Sequence, residues 1–219
     1  MDKPHIAADA WIDLANLDCY LALRHLRSAL SEVPFKNEVT VTPRPFLQHR
    51  EAGTTLEREI VTSATNLDER AADDGIRIEP SALLPSSTKA ASQLVLWAVQ
   101  HDESSGTSAG PNSLALRLSE AIMRALFEVG ANIESPETLI SIAQDLTIDG
   151  KEASIAIKDE YLGIQVQQAY EMGLYLGVTN PPVLTLNEAF VVDGSQTQDA
   201  YLNIIKVVWN NELEARKDK

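Results

Sequence analysis

Residues Asp13-Leu14-Ala15-Asn16-Leu17-Asp18-Cys19-Tyr20-Leu21 decide how this chain is read, because an apolar strand breaks into a helix here. Upstream, Ile6 to Leu14 is a short run of Ala, Ile and Trp with polar interruptions, the pattern of a largely buried strand. Downstream, Cys19, Leu23, Leu26 and Leu30 recur at helical spacing, with Arg24, His25 and Arg27 between them, which predicts an amphipathic helix. A strand that runs straight into a helix aims the free N–H groups of the helix start into the turn, and Asn16 is among the best side chains for capping them.

Composition narrows the field of functions. The 219 residues are enough for one large domain or a domain carrying an insertion, and 44% hydrophobic residues allow a packed core. The formal charge is −14, from 32 acidic against 18 basic residues. That surface repels phosphate backbones and anionic lipids, so neither nucleic acid nor a membrane surface is expected as a partner. No apolar run approaches the roughly 18 residues of a membrane helix, and Met1 to Pro4 lead directly into a strand, so a cytoplasmic location is expected. One cysteine cannot close a disulfide within these residues. The four histidines, His5, His25, His49 and His101, lack ligand spacing, so no metal site is expected.

Outward from the opening segment, Glu38 to Thr42 alternates and is β-branched, a second strand that ends in Arg44-Pro45-Phe46-Leu47. The pattern then turns helical. Thr55 to Ala72 predicts a helix stopped at Gly75, and Thr88 to Gln100 predicts another. A flexible Gly/Ser loop is expected over Ser104 to Pro111, followed by a strongly amphipathic helix from Leu114 to Val129. Ser135-Pro136-Glu137 is a compact start signal for a helix to Leu146, and one further helix is expected from Ala153 to Leu176, halted by Gly177. The chain closes with a strand through Val183 to Leu186 and a hairpin partner from Ala189 to Val192. A last helix then has Tyr201, Ile204, Ile205, Val208 and Trp209 inward, before a solvated tail from Glu212.

The words Asp-x-x, a four-residue turn and Tyr-Leu resemble the active-site segment of the DsbA-like thioredoxin-fold family, especially its FrnE branch. There the turn reads Cys-Pro-Trp-Cys; here Asn16-Leu17-Asp18-Cys19 keeps only the second cysteine. The likeness continues through the Pro-Phe-x-Leu step at Pro45-Phe46 and the Gly75-Ile76-Arg77-Ile78 segment. It also covers Ser87 to Gln93, where the family's Asn-Thr-x-x-Ala-His-Arg keeps its threonine and alanine but loses His-Arg, and the closing turn, hairpin and helix. The resemblance implies an α/β fold in which residues 1–49 and 177–219 form a thioredoxin-like domain and residues 50–176 an inserted helical domain. Periodicity alone supports an α/β chain with a large helical insert.

The resemblance also assigns a site. Asn16 takes the position of the nucleophilic cysteine, and Cys19 that of the resolving one, where burial on the Leu23–Leu26 stripe and the neighbouring Asp18 both disfavour a thiolate. Pro182 aligns with the family's cis-proline before the third strand. The residue ahead of it, which in the family offers main-chain N–H and C=O to a peptide or glutathione, is Pro181 and has no N–H. Asn180-Pro181-Pro182 also reads as a plain rigid turn.

The expected function is a divergent thiol–disulfide oxidoreductase family protein whose dithiol cycle is lost. Two alternatives stand beside it: a redox-independent module holding a peptide or small ligand in the interdomain cleft, and a glutathione-dependent transferase or isomerase. No cofactor is expected other than glutathione.

Overall fold

The structure is a computed structural model that describes residues 3–47, 69–79, 82 and 86–217. Its framework is a four-stranded sheet in the order β2-β1-β3-β4, formed by β1 (Ile6–Ile12), β2 (Val39–Pro45), β3 (Val183–Leu186) and β4 (Phe190–Asp193). β1 and β2 run parallel with Ile6 beside Val39, which requires a crossover, and α1 (Leu17–Glu32) supplies it. β3 lies antiparallel to β1, with Trp11 beside Val183, and β4 is its hairpin partner.

Side-chain alternation assigns the two faces. Ile6, Ala8, Ala10 and Ile12 of β1, with Val39, Val41, Leu184 and Leu186, are buried in the main core beneath α1 and α7 (Gln198–Ala215). Trp11, Phe46, Val178 and Val183 form a smaller cluster with Tyr170 on the opposite face. There α6 (Glu160–Tyr175) crosses the sheet at Gly173, where an added Cβ would stand 3.0 Å from Phe46 and Trp11. The remaining helices are α2 (Lys89–Ser105), α3 (Leu114–Val129), α4 (Pro136–Asp145) and α5 (Gly150–Ala156). They fill the stretch between β2 and β3, and their buried residues join the main core without a break.

β2 runs on through Pro43 and Pro45, beyond the expected Thr42. It can, because it is an edge strand: the Phe46 N–H donates inward to Ile12 O, so the alternate positions 43 and 45 face outward, where a missing N–H costs no ladder bond.

Three other expectations change. The helix expected from Ala153 to Leu176 is two helices, α5 and α6, because Asp159 caps a new start by accepting from the Tyr161 and Leu162 N–H groups at 2.7 and 3.2 Å. The loop expected to be flexible is bolted down. α2 extends to Ser105, Ala109 bridges Thr40, Gly110 N–H donates to Val39 O at 2.7 Å, and Arg27 Nε donates to Pro111 O at 2.8 Å. Gly110 sits there at φ 85°, a conformation open mainly to glycine. Finally, Glu212 is not in a solvated tail, since α7 continues to Ala215 and Glu212 accepts from Asn187 Nδ2 at 2.7 Å. The helix expected over Thr55 to Ala72 lies outside the described residues except for its end, where 69–73 is helical and Gly75 follows at φ 71°.

Candidate active site

The site sits where β1 ends and α1 begins. Asp13 is buried and shapes the turn, its carboxylate accepting from Ala15 N–H at 2.9 Å while its carbonyl accepts from Asn16 N–H at 3.1 Å. This delivers Asn16 to the helix N-cap in an extended conformation, with Oδ1 accepting from Cys19 N–H at 3.2 Å. The other end of the same amide reaches across the molecule, Nδ2 donating to Pro181 O at 3.4 Å. Asn16 therefore joins the start of α1 to the Asn180-Pro181-Pro182 loop, 165 residues away in sequence. The Pro181–Pro182 peptide bond is cis. Pro182 passes its own carbonyl to Gly194 N–H at 2.9 Å, which continues the β3–β4 ladder, while Asn180 is exposed at the lip of the loop.

Cys19 is fully buried, one turn into α1. Asp18 beside it pairs with Arg70 at 2.7 Å. The Arg70 counter-ion partly balances the carboxylate next to Cys19, and burial adds a barrier that keeps Cys19 from reagents. Tyr201 of α7 lies close by. Its hydroxyl is pushed up to about 12, first by burial and further by the nearby Cys19 and Asp18, against the lowering effect of a hydrogen bond with the Gln196 backbone.

Two networks hold α1 in place, and neither was visible in the sequence. His25 places Nδ1 2.7 Å from Gln196 O and Nε2 2.8 Å from the Asp74 carboxylate, linking α1 to the loop before α7 and to the segment that carries Arg70. One turn toward the helix start, Tyr20 is fully buried against Phe127 and donates its hydroxyl to Glu128, while Arg24 Nη1 donates to the Tyr20 oxygen at 3.2 Å. Burial and the Glu128 bond raise the Tyr20 hydroxyl well above its ordinary range. His25, Tyr20, Arg24 and Asp18 all show as polar positions on the first helix, but their partners in Gln196, Asp74, Glu128 and Arg70 lie far along the chain, beyond any local pattern. A cavity of about 310 Å³ lined by Lys3, Pro4, Pro34, Phe35, Glu38 and Trp209 opens at the opposite end of β1 and shares no residue with this site.

The sequence matches the DSBA-like thioredoxin domain family over residues 8–206. The chain belongs to that family. Among solved structures, it is similar to a probable DsbA oxidoreductase from Streptomyces coelicolor, with 20% identity and a TM-score of 0.74, over 94% of this chain and 91% of that one. It also resembles the cytosolic disulfide reductase DsbM from Pseudomonas aeruginosa in its structure with GSH, at 18% identity and a TM-score of 0.63 over 97% and 100% of the two chains. A third similar structure is a 2-hydroxychromene-2-carboxylate isomerase, at 13% identity and a TM-score of 0.66 over 97% and 98%. At these identities the likeness is one of fold. None of the curated proteins matches the chain. Among the described residues no helix is long and apolar enough to cross a membrane.

Proposed function

We propose that this DsbA-like protein, of the FrnE-like branch, has left dithiol–disulfide exchange and uses the cleft beside Asn16 and the cis-proline loop to hold an extended peptide or a small ligand in the cytoplasm. One observation carries the reading: where a nucleophilic sulfur would stand, the Asn16 amide is committed to Cys19 N–H on one side and to Pro181 O on the other. A side chain bonded at both ends closes the turn instead of opening it to attack. Pro181 removes the donor half of the peptide clamp, so a ligand there meets a carbonyl acceptor and must bring its own N–H. That carbonyl has a second lone pair, which leaves room for the N–H of a glutathione-like ligand and supports, as a second reading, a transferase or isomerase in which the thiol belongs to the cosubstrate.

The test has three arms. With dithiothreitol as electron source, the native protein should not speed insulin reduction above the uncatalysed rate, and clear catalysis would overturn the proposal. Reduced carboxymethylated lactalbumin, an unfolded polypeptide, should bind saturably; saturable glutathione binding without it would favour the second reading. Asn16→Cys should place two sulfurs on one helical turn and form an intramolecular disulfide on mild oxidation. If both thiols stay free, residues 16 and 19 do not form a redox-type turn at all.

A further inference from the structure

Helix α6 has two apolar faces, and among the described residues only one of them is packed against the fold. Leu162, Gly163, Val166 and Gly173 are buried against the rest of the protein, with Gly173 seated on Trp11 and Phe46. Straight across the helix, Tyr161 is 66% exposed, Ile164 56%, Met172 52% and Tyr175 85%. A helix that is apolar on both sides is normally covered on both sides.

The exposed face has an internal symmetry. A stripe along it is made of Tyr161, Ile164, Gln168, Met172 and Tyr175, which stand at −7, −4, 0, +4 and +7 relative to the exposed Gln168, with Gln167, Glu171 and Leu174 exposed beside it. At about 100° per residue these five fall within a stripe roughly 80° wide, the narrow seam of a helix pair. The order, aromatic-aliphatic-amide-aliphatic-aromatic, reads the same in both directions. We propose that this stripe is a homodimer interface, in which α6 of two copies packs antiparallel about a two-fold axis through Gln168.

In that arrangement Tyr161 meets Tyr175 of the second copy, Ile164 meets Met172, and the two Gln168 amides face each other. A two-fold contact demands this reciprocity, and the sequence of one helix supplies it. An amide on each side of the axis can donate and accept at once, so the pair fixes the register as a polar residue does in a coiled-coil seam. The stripe itself carries no charge in a chain of net charge −14, and Glu160 and Glu171, the only charged residues of α6, border it on the Ile164 side. Two copies with that charge repel through most approaches, and an uncharged aromatic face is where they can meet. Taking a full aromatic side chain as about 200 Å², the two tyrosines with Ile164 and Met172 expose about 500 Å² per copy. The pair would bury about 1,000 Å², the lower bound for a specific interface, so association in the micromolar range is expected.

The experiment is analytical ultracentrifugation of the full chain from about 1 to 200 µM, with cross-linking as the second measurement. The mass should rise from 24.0 kDa toward twice that value with concentration. Gln168→Glu, which sets two carboxylates face to face on the axis, should weaken association at least tenfold at neutral pH with the far-UV spectrum unchanged. Because the one native cysteine is buried, new surface cysteines report contact cleanly. Gln168→Cys should cross-link to itself under mild oxidation, and Tyr161→Cys mixed with Tyr175→Cys should cross-link far more than either alone. A protein that stays monomeric throughout overturns the proposal. So does a dimer that survives Gln168→Glu or does not cross-link through position 168.

Discussion

Replacing Asn16 separates the two duties the structure gives it. Asn16→Ser keeps an oxygen where the cap needs one and removes the donor that reaches Pro181; Asn16→Ala removes both. Loss of a side-chain cap costs about 1 kcal/mol. The bond to Pro181 is long at 3.4 Å, and losing a side-chain donor to a backbone carbonyl also costs about 1 kcal/mol. The alanine variant should therefore be about 2 kcal/mol less stable than the native protein and the serine variant about 1. With a urea slope of about 2–3 kcal/mol per M, the unfolding midpoint should fall by nearly 1 M for alanine and by about 0.4 M for serine. Urea titration followed by tryptophan fluorescence and far-UV circular dichroism, with coincident transitions, gives both numbers. Equal losses for serine and alanine would show that the cap contributes nothing. An alanine variant as stable as the native protein would refute the description of Asn16 as a bridge.

Asp102 is almost fully buried and accepts from Thr107 Oγ1, Leu114 N–H and Ala115 N–H at 2.8–3.0 Å, taking over the start of α3, where Ser113 makes no side-chain cap. Asp102→Ala should cost about 3 kcal/mol, read as a melting point lower by roughly 6–12 °C, with Asp102→Asn recovering only part because its amide donors face other donors. Tyr201 ionises near the ordinary tyrosine value of about 10 when unfolded and at about 12 when folded, so the folded state holds the proton longer. Its contribution, up to about 2–3 kcal/mol, is complete below pH 10 and is lost as pH rises toward 12; Tyr201→Phe should flatten that part of the stability-against-pH curve relative to the native protein. Cys19, with no exposed surface, should react with a neutral thiol reagent at least tenfold more slowly in the native protein than in denaturant, and equal rates would contradict its burial.

What the sequence revealed and what it hid divide along distance. The cap at Asn16, the buried stripe through Cys19, Leu23 and Leu26, and the strand led by Pro182 are written in neighbouring residues, where spacing and residue type act directly. The break at Asp159 was also local, but Lys158-Asp159-Glu160 carries no glycine or proline, and the apolar rhythm on both sides hid a cap of ordinary strength. The glycine-serine stretch after α2 illustrates the opposite failure. Its composition describes what the chain could do in isolation, while Thr40, Val39 and Arg27 decide what it does in the fold. Arg70 opposite Asp18, Asp74 opposite His25 and Glu128 opposite Tyr20 are each pairings of side chains that no window of sequence contains.

The prolines of β2 give the sheet a direction. At positions 43 and 45 the outward-facing backbone has no hydrogen to offer, and ahead of them Val39 and Thr40 are already engaged by Gly110 and Ala109. The loop contact vanishes whenever the protein loosens. The missing hydrogens do not, because they are absent from the covalent chain. A half-unfolded copy that has lost its helices still cannot recruit a neighbour's strand along the second half of β2, so the protection against stacking into aggregates outlasts the fold that it guards.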